Sequence, residues 1–267
     1  MPLAFVEEAN RRGLGVVVVE LDCGPSASGR ASRTVGSRLR GFGGPIYRLE
    51  LSRWNEMVEL FARHGVEEVY AAGKVSRPDA AAAVEQASAG ELREIYREGS
   101  HLGDQALSQL FARSLARRGL RLGEQREILG SLLAPGGVLG LRPPTAREQA
   151  DLELGMRLAR QVAQLDIGQV VAVKGGVVLA VEAAAEGTDA AIRRAGRLGG
   201  PGVVVAKASR PDQDLRLDTP VVGPGTIRAM AAAGASCLAI EAGRCFVLRR
   251  EATLAAADRA GISVVAC

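Results

Sequence analysis

GVVVVELD, residues 15–22, is an apolar run of four successive valines closed by an aspartate, and its reading decides the fold class. Such a run suits a strand buried on both faces of a parallel sheet. Before it, residues 3–12 read as a helix that Gly13 stops; after it, residues 24–44, rich in Gly, Ser and Arg, read as a loop. A second strand covers 46–51, and Ser52 is placed to N-cap a helix running to His64, with Gly65 as its terminator. Residues 66–72 form a third strand leading into GKVSRP, followed by helices over 80–97 and 104–118 and a short strand at 120–122. Strands alternating with helices imply an open α/β sheet.

Residues 133–144, LAPGGVLGLRPP, have no periodicity and are dense in Gly and Pro, so the domain boundary is set there. The organisation expected is an N-terminal domain over 1–132, a linker over 133–144 and a C-terminal domain over 145–267. The second domain opens with a helix over 146–164. Strands at 170–173 and 177–181 flank KGG, whose glycines supply the positive φ angles of a tight hairpin. A helix at 189–198, strands at 203–206 and 219–222, and a helix from Pro224 follow. Strands at 238–240 and 245–248 then flank EAGR as a second hairpin, before a helix at 252–260 and a strand at 262–265. This is a mixed α/β domain, without internal repeats.

The 267 residues are 47% apolar and 24% charged, a globular composition with a sizeable core. Aromatics are only 3%, which argues against base-stacking nucleic-acid modules. The net charge of +4 contains no block of like charges resembling a nucleic-acid tail. Of the 34 basic residues only Lys74, Lys174 and Lys207 are lysines, an Arg excess that a GC-rich genome explains. Cys23, Cys237, Cys245 and Cys267 lack metal-binding spacing, and Cys237 and Cys245 sit in apolar runs as buried reduced thiols. With no signal-peptide pattern and no apolar run of about 18 residues, the expected compartment is the cytoplasm.

Three stretches of the second half interrupt the apolar pattern with acidic and small polar residues: 165–169, 182–190 and 206–226. Each lies at a strand end or helix start, where α/β sheets place their sites. In the second, Gly187-Thr188-Asp189 opens a helix. Two readings stand there: backbone amides that bind phosphate, or plain N-capping by Thr188 with Asp189 on the helix dipole. In the third, Asp212, Asp214 and Asp218 lie close together, with Arg210 just before them and Arg216 among them. Bunched carboxylates can hold Mg²⁺ beside substrate phosphates; a salt-bridged surface loop is the other reading. Lys207 ends an apolar strand, where burial without a partner is costly, and Asp218 stands at the edge of the next strand. In the first half, Gly73-Lys74 and Arg77 at a strand end read either as an anion grip or as a surface turn. No nucleophile elbow, P-loop or HExxH is present.

Taken in order, AAGKVSRPD (71–79), GDQAL (103–107), PTAREQADLELG (144–155), LDIGQVVAVKGGVVLAVEAAAEGTDAAIRRAG (165–196), VVAKASRPDQDLRLDTPVVGPGTI (204–227) and the Gly243 segment resemble the LpxI type of UDP-2,3-diacylglucosamine pyrophosphatase. The resemblance covers nearly the whole chain. It implies a Rossmann-like N-terminal domain, a C-terminal catalytic α/β domain, and metal-dependent hydrolysis of UDP-diacylglucosamine to UMP and diacylglucosamine 1-phosphate, a lipid A precursor. It places the essential aspartate on Asp218, with Lys207 and Asp189 beside it as catalytic groups. It implies a metal, Mg²⁺ or Mn²⁺, on Asp218 and Asp214, and substrate binding by Gly73, Lys74, Arg77, Asp104, Gln169, Gly187, Thr188 and Gln213. Further expectations are a lipid-linked UDP-sugar as substrate, no nucleic acid, peripheral contact with the inner membrane surface, and a homodimer. The family pattern starts with a short strand and a Gly-rich run, whereas Met1-Pro2-Leu3-Ala4 stands where that run ends. An N-terminal domain lacking its first strand is therefore expected, through a late start codon or a genuine alteration. Two other readings remain: a hydrolase of another nucleotide-sugar in an organism without lipid A, and a non-catalytic nucleotide- or lipid-binding protein.

Overall fold

The computed structural model describes residues 1–22, 39, 42–73, 94, 112–183, 186–216 and 219–267. The chain divides into two units, Met1–Leu129 with Asp214–Leu217, and Gly130–Gln213 with Asp218–Cys267.

In the first unit, α1 (Pro2–Arg11) begins with a proline, whose missing N–H is no loss in a first turn. It ends where Gly13 adopts a φ of 70°. β1 (Val18–Asp22) pairs in parallel with β2 (Ile46–Glu50), which agrees with the α/β reading. Burial on both faces is not observed, because every residue of β1 is only half-buried. A 3-10 turn, Leu51–Arg53, precedes α2 (Trp54–Arg63). Ser52 lies inside that turn, and its hydroxyl donates to Glu50 Oε2 at 3.2 Å rather than capping the helix. β3 (Glu68–Val69) is shorter than the stretch 66–72 and pairs in parallel with β4 (Arg121–Leu122). Residues 112–117 are helical; apart from residue 94, the rest of the helices expected over 80–97 and 104–118 lies outside the described residues up to 111. α3 (Gln125–Leu129) follows. Arg12 donates to the Glu127 and Ile128 carbonyls, both at 2.7 Å, so the end of α1 satisfies acceptors at the end of α3. The core gathers Trp54, Met57 and Phe61 of α2 against Leu115, Leu120 and Leu122.

The second unit is built on a six-stranded mixed sheet. Its elements are β5 (Gly137–Val138), α4 (Ala146–Gln164), β6 (Val170–Lys174), β7 (Val177–Val181), α5 (Thr188–Gly199) and β8 (Val203–Lys207). Then come β9 (Val221–Val222), α6 (Pro224–Ala232), β10 (Ala235–Ile240), β11 (Phe246–Val247), α7 (Arg250–Arg259) and β12 (Ser263–Ala266). The sheet order is β5-β12-β10-β8-β6-β7, with β8, β10 and β12 parallel and β5, β6 and β7 joined by antiparallel pairings.

The apolar runs of this sheet are continuous because both faces are covered. Alternation divides each run: Val170, Ala172, Val203, Val205 and Leu238 pack with Ile192 of α5 and Ile227 and Met230 of α6. Val171, Val173, Val204, Ala206 and Ala239 pack with Leu152, Met156 and Ala159 of α4 on the other face. α4 begins with a full capping box, Thr145 Oγ1 accepting from the Glu148 amide at 3.3 Å and Glu148 Oε2 accepting from the Thr145 amide at 2.8 Å.

The expected hairpin between β6 and β7 is present. Gly175 and Gly176 take φ values of 60° and 79°, the pair of positive angles that a two-residue turn requires. Asp151 of α4 accepts both of their amides at 2.7 Å. The second expected hairpin, around EAGR, is absent. β10 is already paired on both edges, by β8 and β12, so the chain leaves the sheet and β11 pairs instead with β9 in a separate parallel pair. The Gly- and Pro-rich stretch 133–144 contains β5, whose Val138 and Gly137 pair with Val265 and Ala266 of β12.

Candidate active site at the strand ends of the second unit

Several polar side chains collect where β7, β8 and β10 end and β6 begins. Lys207 closes β8, and its ammonium donates to Thr188 Oγ1 at 3.2 Å. Thr188 Oγ1 donates in turn to Glu182 Oε1 at 3.2 Å, and Glu182 Oε2 accepts the Gln169 amide at 3.2 Å. The cation that closes an apolar strand is therefore partnered through a hydroxyl to a buried carboxylate. Gln169 also accepts the Ala208 amide on its carbonyl at 2.9 Å, extending the β6–β8 ladder beyond the strands. Gly168 sits tight against this corner: a Cβ there would fall 2.0 Å from the Glu182 carbonyl oxygen.

The start of α5 separates the two readings left open for it. Gly187, with a φ of 83°, is the N-cap residue, and no side chain caps the helix. Thr188 is the first helical residue and turns its hydroxyl to Glu182 and Lys207, so it does not act as a cap. Amides of an uncapped helix start suit an anionic ligand. Asp189 is exposed in the first turn. The approach to the helix is held by Arg194, which grips Glu186 bidentately at 3.0 and 2.7 Å and draws that carboxyl below its ordinary pKa.

A second cluster surrounds Glu241, which follows β10 and is buried. Its Oε2 accepts the Ser209 amide at 2.8 Å and the Ser209 hydroxyl at 2.6 Å, and its Oε1 accepts Arg160 Nε at 2.9 Å. Burial works to raise the Glu241 pKa, but these donors outweigh it and hold the carboxyl below its ordinary value. Arg244 donates to Ser209 Oγ at 2.9 Å and to the Arg210 carbonyl at 2.6 Å. Gln213, expected at the substrate, accepts the Arg210 amide on Oε1 at 3.0 Å and so closes the loop on itself.

Asp214 belongs with the first unit, and Arg216 engages both of its oxygens at 2.8 and 2.7 Å, which lowers the carboxyl's pKa. Gly73 is exposed, with a φ of 135°. Asp218, Lys74, Arg77 and Asp104 lie outside the described residues. Among the described residues no group of three His, Cys, Asp or Glu side chains converges as a metal holder. With Asp214 engaged by Arg216, the described residues do not by themselves make up a ligand set for Mg²⁺. A cleft lined by Asp22, Arg48, Leu49, Glu50 and Arg53 belongs to the first unit, where Arg48 and Asp22 neutralise each other.

The structure thus joins Lys207, Thr188 and, through Glu182, Gln169. Sequence reasoning missed Glu182, Ser209, Glu241 and Arg244. The signal for Glu182 and Glu241 was present: each is a carboxylate directly after an apolar strand, as Lys207 is a cation at the end of one.

A two-domain α/β protein with a polar, anion-suited cluster at the strand ends of its second half is the class that fold and site define. Residues 1–132 match the LpxI N-terminal domain and residues 135–265 the LpxI C-terminal domain. The chain belongs to the LpxI family. A relative from Caulobacter vibrioides, the UDP-2,3-diacylglucosamine pyrophosphatase LpxI, is 34% identical over 271 residues, covering 95% of this chain and 94% of its own.

Proposed function

We propose that the protein hydrolyses the pyrophosphate of UDP-2,3-diacylglucosamine, releasing UMP and 2,3-diacylglucosamine 1-phosphate for lipid A synthesis. Similarity to the Caulobacter pyrophosphatase along nearly its whole length supports the reaction class. The observation that carries the site is the chain Lys207–Thr188–Glu182 at the uncapped start of α5. Pyrophosphate cleavage needs charge neutralised on the phosphoryl oxygens and a water aligned for attack. Lys207 and the first amides of α5 do the first, binding one phosphate at the strand ends. Glu182 keeps the Thr188 hydroxyl and Lys207 in place, and Asp218 aligns the water. A divalent cation, Mg²⁺ or Mn²⁺, belongs to the same proposal, with Asp218 among its ligands; when bound it supplies further charge neutralisation. The acyl chains of the substrate favour work at the inner membrane surface, and among the described residues no helix is long and apolar enough to cross a membrane.

The test is release of UMP from UDP-2,3-diacylglucosamine by the purified full-length chain, with and without a chelator. Turnover that the chelator stops and Mg²⁺ or Mn²⁺ restores is expected. Asp218→Ala should abolish turnover with an unchanged melting temperature. Near-normal release by that variant would remove Asp218 from the mechanism. Equal efficiency on UDP-sugars without acyl chains would move the reading to nucleotide-sugars at large.

A further inference from the structure

We infer that Glu241, acting with Arg244, is a positioning residue that fixes residues 209–211, the segment that follows Lys207; its effect on catalysis rests on the function proposed above. The backbone pairing shows why such a device is needed. β8 lies between β6 and β10, and its last pair with β10 is Lys207 with Ile240. Beyond that pair the ladder with β10 ends. On the β6 side, the Ala208 amide is still taken by the Gln169 carbonyl. On the β10 side, the next residue of the strand's neighbour is Glu241, and its carboxylate accepts the Ser209 amide that the ladder no longer serves. One carboxylate oxygen also accepts the Ser209 hydroxyl, at 2.6 Å, so backbone and side chain of the same residue are held together. The opposite oxygen is turned to Arg160 at 2.9 Å, which fixes the carboxylate plane.

Arg244 completes the hold from the other side. Its Nε donates to Ser209 Oγ at 2.9 Å, and its Nη2 donates to the Arg210 carbonyl at 2.6 Å and the Pro211 carbonyl at 3.3 Å. Three consecutive residues, Ser209 to Pro211, are thereby tied to a buried carboxylate and a half-buried guanidinium. The chain leaves the ladders after Ala208, whose amide makes the last pairing with Gln169. Without these bonds the peptide groups of 209–211 would have no ladder to define their path. A shift of about 1 Å in a group that aligns reactants can cost on the order of a hundredfold in rate. Glu241 itself needs no contact with substrate to matter in this way.

The experiment uses the full-length chain and reads two things: steady-state kinetics of UMP release, and hydrogen exchange of the backbone amides that residues 209–213 carry, those of 209, 210, 212 and 213. In Glu241→Ala, kcat should fall about tenfold to a hundredfold with KM within threefold of wild type, and exchange at 209–213 should accelerate. Glu241→Gln keeps one oxygen for Ser209 and should recover part of both. Arg244→Ala, which removes a half-buried side chain and leaves the core intact, should accelerate exchange at 210–213 and lower kcat severalfold. Unchanged kcat in Glu241→Ala and Arg244→Ala overturns the inference, as does a lowered kcat with unchanged exchange. Should Glu241→Ala fail to fold, Arg244→Ala alone decides. Should wild type release no UMP, the proposed function fails, while unchanged exchange in Arg244→Ala would separately refute the loop anchor.

Discussion

In the function proposed above, Lys207 supplies the charge that binds phosphate at the strand ends. It is one of three lysines in a chain otherwise served by arginine, and its ammonium donates to the Thr188 hydroxyl, which donates in turn to Glu182. Lys207→Met should lower kcat/KM by about a hundredfold or more, the size of a lost charge-stabilising donor, measured on UMP release. Its melting temperature should change little, since Lys207 is only partly buried. Glu148 and Glu241 carry a different signature. Burial opposes ionisation of both, yet Arg142 with Thr145 in one case and Ser209 with Arg160 in the other hold each below the ordinary carboxyl value of 4.5. Since their folded pKa values are depressed, their stabilisation is fully present above that value and is lost as pH falls through the folded values. Urea unfolding followed from pH 6 to pH 3 should show stability falling below about pH 4.5. The fall should be shallower in Glu241→Gln.

Elements owe their definition to a few local interactions and to the covering of both sheet faces. The capping box of Thr145 and Glu148 begins the longest helix of the described residues. Thr145→Ala should cost about 1 kcal/mol in urea unfolding, because one amide loses its acceptor and the Glu148 carboxylate loses the hydroxyl partner. Leu238 lies in the middle of β10, the strand at the centre of the parallel part, and is 1% exposed. Leu238→Ala should cost about 2–5 kcal/mol, since the surrounding valines and Met230 cannot close the cavity fully. A loss below 1 kcal/mol would contradict the packing described for that face.

Over the whole molecule, thiol reactivity reports how the core is closed. Cys237 and Cys245 are buried and their thiols are pushed up to about 12 by desolvation. Cys267 is exposed. A maleimide should therefore label Cys267 in the folded protein, whereas Cys237 and Cys245 should react only on unfolding, as mass spectrometry of digested protein would show. Early labelling of Cys237 would mean that the β10 region opens locally.

Much of this architecture was legible in residues alone. The continuous apolar runs at 170–173, 177–181 and 203–206 and the Gly175-Gly176 turn act through neighbours in sequence, so they can be read without knowing where the chain goes. The same holds for the family motifs around Lys207 and Thr188, because they lie in continuous segments. Partnerships between distant residues were settled by the tertiary structure. The half-buried state of β1, the pairing of β11 with β9 instead of β10, the bonds from Glu182 to Thr188 and from Glu241 to Ser209, and the capture of Asp214 by Arg216 depend on which strand edges are already occupied and which side chains converge. Local propensity and periodicity act over a few residues, while strand order and the satisfaction of buried charge are set by the packing of the entire sheet.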